Sequence, residues 1–307
     1  MILTLADVEA AARHIKPYAV RTPLVESPVL SARTGGRVFL KLETLQRTGS
    51  FKFRGACNAV AQLSPERLRA GVVAFSSGNH AQGVAAAAAL FGAPALIVMP
   101  RDVPAAKLEG TRSFGAEIVF YDRRTEDREA IAARLCAERG ASLIKPFDQA
   151  EVIAGQGTVG LEIAEDAARF GVQLETVLVP CSGGGLASGA AVGLSGSAAV
   201  RTVEPENFDG MRRSLAAGRR VAAPGGELSL ADALMAPIPG EIVFEIARDH
   251  LGPGLAVSDE ALCRAVAYAA GTLKLVVEPG GAAALAALLE GAAQGQSVAV
   301  VLSGANA

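Results

Sequence analysis

An α/β fold with parallel sheets is predicted by three features of the 307-residue chain. Short β-branched or apolar runs stand at 38–42, 72–75, 96–99, 118–120, 176–179, 200–203 and 298–302, and helical stretches such as 78–91, 127–139, 153–170 and 259–271 lie between them. The runs are continuously apolar, the pattern of strands buried on both faces, and parallel strands need the crossovers that the helices supply. Half of the residues are hydrophobic (50%) and 20% are charged, a composition that excludes disorder and supports a large core. At roughly 150 residues per domain the length predicts two domains. The Gly/Pro-rich stretch 222–227 is too short to link independent modules.

Lys plus Arg (29) nearly balances Asp plus Glu (31), for a net charge of −2, so no basic surface for nucleic acid or anionic lipid is expected. Two uncharged runs, 81–100 and 176–200, have the length of membrane spans. Gly83, Gly92 and Pro94 interrupt the first and Pro180 the second, so both read as helix and strand pairs of a buried sheet. The first twelve residues carry Asp7 and Glu9 and no basic stretch, unlike a signal peptide. The protein is expected to be soluble and cytoplasmic. Cys57, Cys136, Cys181 and Cys263 are widely spread with no C-x-x-C pair, which excludes a zinc framework and a disulfide scaffold. Each reads as a small buried hydrophobe.

In such sheets ligands collect where strands end and helices begin. Three loops fit. Ser76-Ser77-Gly78-Asn79-His80 follows the run 72–75 and opens an Ala-rich helix, and its hydroxyls, amide and backbone N–H groups suit a carboxylate. An ordinary helix cap is the plainer reading, but five consecutive small polar residues exceed what a cap needs. Ser182-Gly183-Gly184-Gly185 follows the run 176–179; its glycines let backbone approach a phosphate at a helix start. It has neither the Walker order nor a complete G-x-G-x-x-G, because Ser188 takes the last position. Ser303-Gly304-Ala305-Asn306 follows the run 298–302 and is weak on its own.

The chain has only six lysines. Lys16 and Lys107 fall on amphipathic stretches, where a solvated head is the ordinary expectation. Lys41 before Glu43 reads as a salt-bridged surface group, Lys145 precedes Pro146, and Lys274 adjoins an apolar run. Lys52 differs, lying between Phe51 and Phe53 in Ser50-Phe51-Lys52-Phe53-Arg54-Gly55. An apolar, aromatic setting disfavours the ammonium form and makes the amine a better nucleophile toward an aldehyde.

Taken in order, the Lys52 motif, the serine loop, the glycine loop and the Ser303 loop resemble the serine/threonine dehydratases and serine racemases, pyridoxal-phosphate (PLP) enzymes of the tryptophan synthase β-like fold. Pro146-Phe147-Asp148, Ala154-Gly155-Gln156-Gly157-Thr158 and Val277-Glu278-Pro279-Gly280-Gly281 extend the resemblance over nearly the whole chain. His80 stands where the related cysteine synthases usually carry Thr, which favours the dehydratase branch. The resemblance implies two parallel-sheet, three-layer domains: a small substrate domain (71–148) inserted into a larger cofactor domain (1–70 and 149–307), with the active site in the cleft. It also implies a homodimer or homotetramer acting on a small amino acid.

The implied roles follow position by position. Lys52 would hold PLP as a Schiff base and take the Cα proton. Phe51 would pack on the cofactor ring, Asn79 would bond its 3′-oxygen, Ser182, Gly183, Gly184 and Gly185 would cradle the phosphate, and Ser303 would meet the ring nitrogen. Ser76, Ser77, Asn79 and His80 would hold the substrate carboxylate, with Ser77 matching the second acid/base of the racemases. The implied reaction is loss of a β-hydroxyl, as from L-threonine or L-serine, and release of an enamine that hydrolyses to a 2-oxo acid and ammonia. A racemase, or a dehydratase for 3-hydroxyaspartate or another β-hydroxy amino acid, is the alternative. A nucleotide-binding α/β protein would leave the Lys52 motif unexplained, and a silent amino-acid-binding protein would not need it.

Three departures stand out. Ser182 replaces the first of the usual four glycines, and Ala81 stands where Gly is commoner, its methyl tightening the carboxylate pocket. The Mg²⁺ or Ca²⁺ site of many members matches at Glu204 and Phe208, but Gly210 replaces its aspartate, leaving Asp209 as the substitute.

Overall fold

The computed structural model describes residues 3–76 and 78–306. Its strands are β1 (Leu24–Glu26), β2 (Val38–Leu42), β3 (Val72–Phe75), β4 (Ala95–Pro100), β5 (Glu117–Tyr121), β6 (Ser142–Leu143), β7 (Thr176–Pro180), β8 (Ala199–Pro205), β9 (Leu255–Val257) and β10 (Val298–Leu302). They form a six-stranded sheet in the order β1-β2-β10-β7-β8-β9 and a four-stranded sheet in the order β5-β4-β3-β6. Every residue of β2, β3, β7 and β10 is buried, which is why their sequences read as apolar runs, interrupted in β2 only by Lys41. Helices Asp259–Tyr268 and Ala283–Leu289 cover one face of the larger sheet, and Ala150–Arg169 and Gly185–Leu194 the other. In the smaller sheet Lys52–Ala61 and Asn79–Leu90 lie on one side and Arg128–Arg139 on the other.

Local chemistry sets the element ends. Asp127 accepts the N–H groups of Glu129 (2.8 Å) and Ala130 (3.3 Å) to start helix Arg128–Arg139, and Gly140 at φ 68° ends it. The motif 154–158 lies inside helix Ala150–Arg169 and works by close packing: a Cβ on Gly155 would come within 2.6 Å of the Arg54 carbonyl oxygen.

The parallel-sheet expectation holds with one exception, β1, which pairs antiparallel with β2 at an edge. β1, β6 and β9 have three residues or fewer, too short to stand out from the sequence around them. The stretch 259–271 is helical only to Tyr268, then widens into a π-turn over Ala269–Leu273 that Lys274 closes at φ 59°. Of the cysteines only Cys57 and Cys181 are buried; Cys136 is half-buried at the edge of the core under its helix, and Cys263 is exposed. No helix among the described residues is long and apolar enough to cross a membrane.

The two sheets share a topological device. In each, the last strand returns from the far edge to lie beside the first strand of its run: β6 beside β3, and β10 beside β7. The loops that leave these strands diverge and open a crevice at the strands' carboxyl ends.

Candidate active site

The crevices merge into one cavity, and the predicted residues converge on it. Phe51, Lys52, Ser76, Asn79, His80, Ser182, Gly183, Gly184, Gly185 and Ser303 all line it. Ser77 lies outside the described residues. The segment after β2 delivers Lys52 at the first turn of helix Lys52–Ala61. That segment lies against the loop after β10: Ser50 bridges Gly304, and the Phe51 N–H donates to the Ser303 carbonyl at 3.1 Å. The Ser303 loop is therefore a buried wall of the site, with Ser303 itself only 4% exposed.

Lys52 Nζ donates to the Pro146 carbonyl at 2.7 Å and stands 5.1 Å from the centroid of the Phe51 ring. No carboxylate pairs with it among the described residues. Burial without a counter-charge pushes its pKa down to about 8, so an appreciable fraction is neutral, nucleophilic amine near neutral pH. His80 donates from Nε2 to the Ile144 carbonyl at 2.9 Å, which leaves Nδ1 as a buried acceptor with no partner among the described residues. Burial, with the Lys52 cation beside it, lowers its pKa to about 3, so His80 lines the cavity as a neutral ring.

The glycine loop leads into helix Gly185–Leu194. Among the described residues the N–H groups of Gly183, Gly184, Gly185 and Leu186 have no hydrogen-bond partner, as an anion cradle at a helix start requires. Gly184 sits at φ 96°, and a Cβ there would come within 2.4 Å of Met211 Cε and 2.5 Å of Val243 Cγ1, so only glycine suits the position. The Ser182 hydroxyl accepts the Ala236 N–H at 3.0 Å, tying the loop to the segment that closes the cavity.

Four readings are corrected. Lys107 is buried and lines the cavity, where it pairs with Asp232; the short, mixed helix Ala105–Arg112 carried no sign of this. Lys41 is fully buried rather than on the surface, because its neighbours in β2 are all apolar and it finds Glu162 and the Thr22 carbonyl inside. Ala81 packs wholly into the core and does not line the cavity, so its methyl shapes packing rather than the carboxylate pocket. The Glu204 set does not fit a cation: its oxygens already accept the N–H groups of Met211 (2.8 Å) and Arg212 (2.7 Å), and Gly210 offers no side chain. Asp209 is likewise taken up, by Arg212 and Arg213. Dialysis against EDTA followed by Mg²⁺ or Ca²⁺ is accordingly expected to leave the thermal unfolding midpoint unchanged; a clear rise on adding either cation would contradict this.

A partly desolvated lysine, an unpartnered N–H cradle and a hydroxyl-lined crevice between two sheets define an enzyme that holds a phosphorylated aldehyde. The chain belongs to the pyridoxal-phosphate dependent enzymes, whose family pattern it matches over residues 15–304. It is 44% identical over 307 residues to the L-threo-3-hydroxyaspartate ammonia-lyase of a Pseudomonas species, covering 98% of this chain and 94% of that one. Among solved structures it is similar to a threonine deaminase from T.th. (TM-score 0.92, 46% identity, covering 99% and 98%) and to maize serine racemase (TM-score 0.94, 36% identity, covering 100% and 94%).

Proposed function

We propose that the chain is an ammonia-lyase for a β-hydroxy amino acid and that its preferred substrate carries a second carboxylate, as 3-hydroxyaspartate does. Arg128 carries the substrate reading. It lines the cavity, its guanidinium carbon lies 5.4 Å from the Phe75 ring centroid, and no carboxylate pairs with it among the described residues. Lys107, the other cation on that side, is already neutralised by Asp232. An unpaired guanidinium in a substrate cavity favours a bidentate anion over the methyl of threonine or the hydrogen of serine.

When bound, PLP supplies the electron sink that stabilises the charge left at Cα. The protein's residues do the rest. The N–H groups after Ser182 hold the phosphate, Asn79 the ring oxygen and Ser303 the ring nitrogen. Ser76, Ser77 and the backbone N–H of Asn79 hold the α-carboxylate, and neutral His80 walls the pocket without adding charge. Lys52 Nζ takes the Cα proton. The electron pair left at Cα forms the Cα=Cβ bond as the β-hydroxyl leaves, and the proton Lys52 took from Cα is given to that hydroxyl so that it departs as water. Water then hydrolyses the released enamine to a 2-oxo acid and ammonia.

The reading extends to a small domain over 71–148, a larger one from 1–70 and 149–307, a homodimer or homotetramer, and a cytoplasmic location. The four-stranded sheet, which takes all its strands from 72–143, supports the division.

Ammonia and 2-oxo acid release from L-threo-3-hydroxyaspartate, L-threonine and L-serine tests the substrate. The first is expected to have the highest kcat/KM. Replacing Arg128 by Met should lower that value by roughly 10- to 100-fold, the worth of a charge-assisted hydrogen bond, and leave threonine nearly unchanged. A preference for threonine that Arg128→Met does not alter would overturn the assignment, and D-serine formed as fast as the 2-oxo acid would favour racemisation.

A further inference from the structure

Glu278, in the quoted motif but without a role there, is 3% exposed in the cavity wall. A hydrogen-bond relay of fixed polarity ends on it. Asn306 Nδ2 donates to the Thr48 carbonyl at 2.7 Å. A carbonyl can only accept, so that atom of Asn306 must be nitrogen. The same Nδ2 donates to Asn79 Oδ1 at 2.8 Å, which turns Asn79 Nδ2 toward Glu278 Oε1, 2.5 Å away. One hydrogen of Asn79 Nδ2 serves Glu278 and the other remains for a ligand. Gly304 makes the room: a Cβ there would stand 2.1 Å from Glu278 Oε1.

Glu278 Oε2 is buried with no partner among the described residues. An ionised carboxylate with a dry, unpaired oxygen is strongly disfavoured, whereas a neutral acid carries its proton there at small cost. The charged and titratable groups that face it are Lys107 and Asp232, which pair with each other, and Lys52 and His80 across the cavity.

Resting on the PLP reading above, we propose that Glu278 is a positioning residue for the cofactor: with Asn306 it locks the Asn79 amide so that one N–H is presented to the ring oxygen, and it does so as the neutral acid. A buried negative charge beside that electron-rich oxygen would oppose binding; the neutral acid removes the opposition. Burial raises the Glu278 pKa to about 7, which lets the acid form persist near neutrality.

The test is the PLP dissociation constant as a function of pH, followed by the absorbance of the bound cofactor in the wild-type protein and in Glu278→Gln, Glu278→Ala and Asn306→Ala. Two opposing trends are expected in the wild type. Affinity rises with pH as Lys52 loses its proton near pH 8 and falls as Glu278 ionises near pH 7, giving a maximum between them. Glu278→Gln, a permanent neutral mimic, should bind within about threefold of wild type at the acid end and keep only the rise, without the fall. Glu278→Ala and Asn306→Ala should weaken binding about tenfold across the range and shift the absorbance band, because the amide is no longer held. A Gln variant with the wild-type maximum, or one as weak as Ala at the acid end, overturns the proposal alone. A wild-type protein that forms no coloured adduct with PLP overturns the proposal together with the reading beneath it.

Discussion

Replacing Lys52 by Ala is expected to give a folded protein that stays colourless with PLP and releases ammonia from β-hydroxy amino acids at least about 10⁴-fold more slowly than wild type. The size follows from two duties on one nitrogen. Nζ is the amine that burial leaves partly neutral, with its pKa near 8, and the base that must reach the Cα proton. No other amine or imidazole among the described residues substitutes. His80 is neutral, but its Nε2 is committed to the Ile144 carbonyl and its low pKa makes it a poor base. Lys107 is held by Asp232. Folding should survive, because Nζ makes one hydrogen bond, to the Pro146 carbonyl, and no ion pair among the described residues. Coincident thermal unfolding of the two proteins as apoenzymes checks that the loss is chemical.

Glu43→Ala is expected to lower the unfolding free energy by about 3–5 kcal/mol, read from urea denaturation, as does breaking a buried pair by deleting one partner. Two residues past Lys52, the guanidinium of Arg54 is 1% exposed and is gripped by both oxygens of Glu43 at 2.8 Å and by both oxygens of Glu162 at 2.8 Å. Lys41 joins through Glu162, and Thr22 donates to Glu43 at 2.5 Å. Two cations thus balance two anions beneath the helix that carries Lys52, and deleting Glu43 strands a buried positive charge. Burial pushes the Glu43 carboxyl up, but Arg54 and Lys41 outweigh it and hold it below the ordinary carboxylate range. Its contribution is therefore complete above that range and is lost as pH falls below it. The exposed i,i+4 pair Arg134–Glu138 is the control: Glu138→Ala should cost no more than about 0.5 kcal/mol. Equal losses at the two sites would show that the buried network does not brace the helix.

The sequence made the architecture legible where burial on both faces left runs of apolar residues, as in β3, β7 and β10 and, but for Lys41, in β2. It was silent where a strand of two or three residues is held by its neighbours, as in β6 between Ala141 and Ile144. Glycine and serine loops after strands were legible because phosphate and carboxylate cradles need particular backbones. Lys52 stood out through its two phenylalanine neighbours. Lys107 did not, because its partner Asp232 is distant in the chain and its own helix is short and mixed. Lys41 offered a usable signal, a lysine in an otherwise apolar five-residue strand, which argues for a buried ion pair. Glu278 was visible only as part of a motif, since its partners are distant in the chain: Gly304 follows β10, and Asn79 follows β3 of the other sheet.

Reductive trapping identifies the lysine that carries the cofactor. The PLP-loaded wild-type protein is treated with borohydride, which fixes the carbon–nitrogen linkage between cofactor and lysine, then digested and mapped by mass spectrometry. Six lysines compete for the label. The phosphopyridoxyl group is expected on Lys52, and none is expected in the Lys52→Ala protein. Label on any other lysine, above all on Lys107, which lines the same cavity, would contradict it.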